Sequence, residues 1–141
     1  MRKYLYAVVL VFTIWFGNAQ TTNQQITPTN PNGIKILHSD FIDKNQNEIP
    51  GAIIFTGNVQ VQHNGVLINC NKAYHYTDED YVKAFGNVIL NQGDTIVMNS
   101  RYAEYDGKTL QAFATGNVNL RSPDSNLTTD TIHFDRNKQI A

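Results

Sequence analysis

From Ile34 onward, apolar residues recur at every second position in runs separated by Gly, Asn and Asp. Val59 and Val61, Val88 and Leu90, and Val118 and Leu120 alternate with Gln60, Ile89 and Asn119. That is the period of a strand with one buried face. Returning runs such as Ile96-Val97-Met98-Asn99-Ser100 read as second arms. Asn64-Gly65 and Gln92-Gly93 sit where a tight hairpin needs φ > 0, and Asp106-Gly107 is expected to do the same at the opposite end. No stretch after Gly33 keeps a 3.6-residue apolar period free of Gly, Asn and β-branched residues. The expectation is an all-β domain of seven or eight antiparallel strands, without helix.

The strands repeat. Gly-Asn-Val stands at 57–59, 86–88 and 116–118, a period of about 29 to 30 residues. Between these anchors, Ile68-Asn69-Cys70-Asn71-Lys72-Ala73 lies over Met98-Asn99-Ser100-Arg101-Tyr102-Ala103 and over Leu127-Thr128-Thr129-Asp130-Thr131-Ile132. Leu37-His38-Ser39-Asp40-Phe41-Ile42 is a fainter first copy. His75, Tyr105 and Phe134 form an aromatic column, followed by polar turns at 78–80, 106–108 and 135–137. Glycine inside a strand is unfavourable unless the backbone bulges or bends there. Stacked at every anchor, Gly57, Gly86 and Gly116 would crease the sheet into a trough. The alternative is that each glycine ends a strand and Asn opens a turn.

Ahead of the repeats, Met1-Arg2-Lys3 is a short cationic head and Tyr4 to Phe16 an uncharged run. Gly17-Asn18-Ala19 supplies small residues before a cleavage site. Residues 1–19 therefore read as a signal peptide, the run being shorter than the roughly 20 residues that span a bilayer. Residues 20–33 are polar, with Pro28 and Pro31, and read as a flexible linker. The β domain is placed at 34–141. Cys70 is the sole cysteine, so an exported chain of this kind has no internal disulfide and depends on packing. A net charge of −1 offers no basic face for nucleic acid.

The [A/T]-x-Gly-Asn-Val arm, with its Gly turn and its apolar-x-small-x-x-Ala-x-aromatic return, resembles the OstA-like repeat of the LptA family. The stretch from Asp124 to Phe134 is especially similar. The resemblance spans about residues 34–141. It implies an antiparallel β-jellyroll, a folded trough of about 29-residue two-strand repeats, whose apolar interior shields lipopolysaccharide acyl chains on the way to the outer membrane. The residues placed on that lining are Val59, Val61, Ile68, Val88, Leu90, Met98, Val118, Leu120, Leu127 and Phe134. The implied setting is the periplasm, in association with the outer membrane. The implied partners are lipopolysaccharide or lipid A, together with other OstA or Lpt-type modules joined through edge strands in a homo-oligomer or hetero-assembly. The next anchor arm is cut off at Gln139-Ile140-Ala141, so the chain reads as a short or truncated member with an uncovered last strand.

No residues call for catalysis, a metal or a cofactor. His38, His63, His75 and His133 lack ligand spacing, and Cys70 falls in a column of small residues with Ser39, Ser100 and Thr129. Asp78-Glu79-Asp80 reads as a solvated turn. Lys72, Lys83, Arg101, Lys108 and Arg121 are either contacts for lipid phosphates at the trough rim or ordinary solvated positions. The competing function is an exported structural or adhesive β-solenoid with a dry core. A glycan-binding module is a third reading, and would need Tyr74, Tyr76, Tyr81 and Tyr102 on one face.

Overall fold

The computed structural model describes residues 30–135. The expected signal peptide and residues 20–29 of the expected linker lie outside the described residues, as do residues 136–141. Eight strands follow one another without a described helix: β1 (Lys35–His38), β2 (Phe41–Asp43), β3 (Ile53–His63), β4 (Val66–Tyr76), β5 (Tyr81–Gln92), β6 (Ile96–Asp106), β7 (Gln111–Arg121) and β8 (Asn126–Asp135). They form one antiparallel sheet in the order β1-β3-β4-β5-β6-β7-β8, with β2 also on β3. Every neighbour from β3 onward is the next strand in sequence, so the sheet is a meander built from local hairpins.

Both alternatives for the Gly-Asn pair describe part of what happens. The pairs take left-handed backbone like turn residues, with φ of 75° and 46° at Gly86 and Asn87 and 84° and 53° at Gly116 and Asn117, yet the strand continues through them. Two residues on the arm then face one on the following strand: Gly86-Asn87 oppose Arg101, between the pairs Phe85↔Tyr102 and Val88↔Ser100. The same two-against-one bulge recurs at Gly57-Asn58 against Asn71 and at Gly116-Asn117 against Asp130. Each glycine also packs on the preceding copy, where an added Cβ would fall 2.3–2.9 Å from Asp40, Asn71 or Arg101. The short β1 and β2 are thus the two halves of the faint first copy, broken at Asp40.

The bulges fold the sheet on itself. His63, at the turn end of β3, has its ring centroid 5.7 Å from that of Tyr105, near the opposite end of β6. The Ile34 N–H, beside the β1 end of the sheet, reaches the Asp80 carboxylate in the β4–β5 turn at 2.8 Å. Neither contact is available in a flat sheet. A single apolar cluster lies between the two halves.

Three local expectations are corrected. Asn64 and Gly65 have φ of 45° and 78°, as the two-residue hairpin requires, but at the β6–β7 turn the left-handed residue is Leu110, at 60°. There the Asp106 side chain accepts the N–H groups of Lys108 and Thr109, building a longer turn than Asp106-Gly107 alone suggested. Asp80 is buried and not a solvated turn residue, because the N-terminal segment docks on it. Asn30–Gly33, assigned to the linker, form a turn whose Asn32 carbonyl contacts His63 at 3.0 Å.

Candidate functional site: the interior of the folded sheet

On the arms, the inward set keeps its parity across the bulge, as Val82, Ala84, Val88 and Leu90 do on β5. On the returns it shifts by one, giving Ile68, Cys70, Ala73 and His75 on β4 and Met98, Ser100, Ala103 and Tyr105 on β6. The shift is the physical meaning of the x-x gap before each alanine. It keeps apolar groups inward on both sides of the crease.

Register then lines up the candidate residues. Val61, Ile68, Leu90, Met98, Leu120 and Leu127 form one row across six strands on one half of the sheet. Met98 and Leu127 are therefore neighbours of the valine and leucine positions within that row. Val59, Val88 and Val118 lie one step nearer the crease, alternating with Cys70, Ser100 and Thr129. Phe134 stands in the other half, in register with Ala112. Val59, Val61, Ile68, Val88, Leu90, Met98 and Val118 belong to the buried cluster, with Leu120 and Phe134 partly buried against it. Leu127 is 42% exposed. The interior is thus packed from β3 to β6 and reaches solvent along β7 and β8.

A further row completes the site. Phe55, Ala73, Ala84, Ala103, Ala114 and Ile132 run in register across β3 to β8, all buried. Four alanines beside the crease let the two halves converge there, and a large side chain closes each end of the row. The signal was present in the sequence, since an alanine precedes Gly86 and Gly116 by two positions and ends each return motif at 73 and 103.

Polar groups are few inside. His63 Nδ1 lies 2.9 Å from the Tyr105 hydroxyl and its Nε2 3.0 Å from the Asn32 carbonyl, which ties the N-terminal turn across the interior. His75 packs its ring on Phe55, and burial pulls its pKa down against the opposing effect of Asp80. The Cys70 thiol donates to the Lys72 carbonyl at 3.3 Å. Burial pushes its pKa up to about 11. Only thiolate alkylates readily, so Cys70 is expected to resist iodoacetamide at pH 8 at a rate no faster than unfolding. Labelling as fast as that of a free peptide thiol would place Cys70 outside the core.

Lys72 and Lys83 point away from the interior, with their ammonium groups over the outward rings of Tyr74 and Tyr76, at 5.1 and 5.8 Å. Lys108 donates to the Asp78 carbonyl, and the Arg101 side chain packs beside Gly116. Among the described residues, no group of three or more His, Cys, Asp or Glu is placed to hold a metal.

A family model described as OstA-like protein matches residues 32–141. No curated protein matches the chain. Among solved structures, the match includes the crystal structure of LptH, the LptA-homologous periplasmic component of the conserved lipopolysaccharide transport device from Pseudomonas aeruginosa. It is 16% identical, with a TM-score of 0.64 over 76% of this chain and 78% of that one. The shared feature at that identity is the fold, an antiparallel LptA-like β-jellyroll. With its creased repeats, inward apolar rows and a family match over all the strands, this chain belongs to the OstA-like family.

Proposed function

We propose that the chain is a periplasmic lipopolysaccharide-handling module, exported by its N-terminal segment, which shelters acyl chains between the two halves of its folded sheet. The observation that carries this reading is the inner row from Val61 to Leu127, which is apolar over six strands and emerges at the β8 edge. Burying an acyl chain there is favourable by about 0.8 kcal/mol per CH₂. Because β3 to β6 are already packed, an acyl chain enters by parting the halves at β7 and β8, where Leu120, Leu127 and Phe134 are least covered. No chemistry on the lipid is needed.

Among the described residues β8 pairs only with β7, and no proline interrupts it. Its outer N–H and C=O groups can accept a strand from a second module, which would extend the inner row across the junction. The partners on this reading are lipopolysaccharide, through its lipid A part, and further OstA-like modules, identical or related.

A second reading, the exported β-solenoid with a dry core, is favoured by the complete closure at Val59, Ala73, Ala114 and Val118, all 0% exposed. One experiment separates the two. Thr131→Cys, in a Cys70→Ser background, is cross-linked in cells, and the purified adduct is analysed by lipid mass spectrometry. A β8-linked multimer carrying lipid A is the expected result. A monomer or multimer free of lipid would establish the dry core.

A further inference from the structure

The outward faces of the two half-sheets have different chemistry. Beyond the crease, the row Gln60, Asn69, Ile89, Asn99, Asn119 and Thr128 is mostly amide. On the other half, Tyr74, Lys83, Glu104, Phe113 and His133 share a row, flanked by rings on both sides. Phe85 lies between Tyr74 and Tyr102, with centroids at 4.7 and 5.0 Å, and Tyr76 meets Tyr81 at 6.2 Å. Phe113 and His133 approach to 4.8 Å. Cross-strand ring pairs stabilise any sheet by roughly 0.2–1 kcal/mol each. That role explains pairs, but it does not explain a cleft.

An open cleft of about 390 Å³ is cut into this face, bounded by Tyr81, Glu104, Asp106, Gln111, Phe113 and His133. Its size falls within the roughly 300–1,000 Å³ of small-molecule sites. The Tyr81 and Tyr102 hydroxyls both donate to the Glu104 carboxylate, which fixes its orientation. Burial would raise the Glu104 pKa, but the two phenols and nearby Lys83 outweigh it and hold the group ionised. Asp106 already accepts two backbone N–H groups in the β6–β7 turn. The lining therefore combines a fixed acceptor, an amide that donates and accepts, an imidazole and an aromatic ring.

We propose that this cleft binds an uncharged pyranose unit of an oligosaccharide. The apolar C–H face of a pyranose carries weak positive charge and suits the negative face of the Phe113 ring. Its adjacent hydroxyls donate to Glu104 and exchange hydrogen bonds with Gln111 and His133. No Lys or Arg lines the cleft, and two carboxylates do, so phosphorylated and uronic sugars are disfavoured. The site lies on the outward face and does not depend on lipid entering the interior.

The test is an NMR titration of the exported protein with maltohexaose, N-acetylchitohexaose, a glucosamine hexamer and a galacturonate hexamer, none of which has a fatty acyl chain. Saturable shifts at Phe113, His133 and Gln111 are expected with at least one of the two neutral hexamers below about 10 mM, and none with galacturonate. Phe113→Ala should weaken binding about tenfold, as should Glu104→Gln, since a hydrogen bond to a charged acceptor is lost. Phe113→Tyr should restore it, and a retained cooperative melting transition, with outward-face shifts elsewhere in the spectrum unchanged, shows that the variants are folded. Absence of any shift with both neutral hexamers overturns the proposal. Binding of the glucosamine hexamer alone overturns it too, marking a simple cation site, as do shifts confined to Asn69, Asn99 and Asn119.

Discussion

Replacing Val88 with Asp is expected to remove most of the stability of the domain, several kcal/mol out of a total of about 5–15. Val88 follows the bulge on β5, pairs with Ser100 on β6 and is 1% exposed within the apolar cluster. A carboxylate there meets aliphatic side chains and one hydroxyl. The Ser100 Oγ has no hydrogen-bond partner and can donate to the new group, which offsets only part of the lost hydration. Urea denaturation reads the difference, with Val88→Ala as the size control at a cost of about 2 kcal/mol for the lost methyl groups. An aspartate variant as stable as the parent would mean that the valine face points to water.

Alternation alone places Val59, Val61, Val88, Leu90 and Val118 inside, because a strand period of two is a local property. The crease is legible for the same reason, since glycine and asparagine are residues that tolerate left-handed backbone. What escapes a linear reading is set by distant chain. Asp80 is an acid in a turn until the N–H of Ile34, far earlier in sequence, arrives to be capped. Leu127 obeys the same repeat as Ile68 and Met98 but lies on the last described strand, where among the described residues only β7 flanks it and much of its side chain stays exposed. Position in the sheet outranks pattern in both cases. The outward rows are hidden for a related reason: each bulge shifts register, so placing Tyr74, Glu104 and His133 on one line requires counting through every crease. The interior was therefore largely readable, while the outward cleft was only a scatter of tyrosines.

Replacing Gly116 with Val is expected to cost about 2–4 kcal/mol, through strain at left-handed φ together with a forced shift of neighbouring atoms. At φ 84° a β-branched residue is strained whatever space surrounds it. Space is also missing, because a Cβ at Gly116 would stand 2.9 Å from the Arg101 Cβ, an atom fixed to the β6 backbone. Gly86→Ala gives a useful contrast. There the nearest atom, at 2.8 Å, is the Asn71 Nδ2, the free end of a side chain that can rotate away, and the Asn71 Cβ, fixed to the β4 backbone, stands farther off than its Arg101 counterpart, at 3.2 Å. Its loss should stay close to the left-handed strain of about 1–2 kcal/mol, with a small addition for the shift of the Asn71 Cβ. Asn117→Gly keeps the left-handed backbone, with φ 53° in the parent, and should be close to neutral. The ranking Gly116→Val, Gly86→Ala, Asn117→Gly, measured by thermal or urea unfolding, tests the crease directly. Equal losses at all three positions would mean that the Gly-Asn pairs are ordinary strand, and a flat sheet could not bring His63 to Tyr105 or enclose an apolar interior.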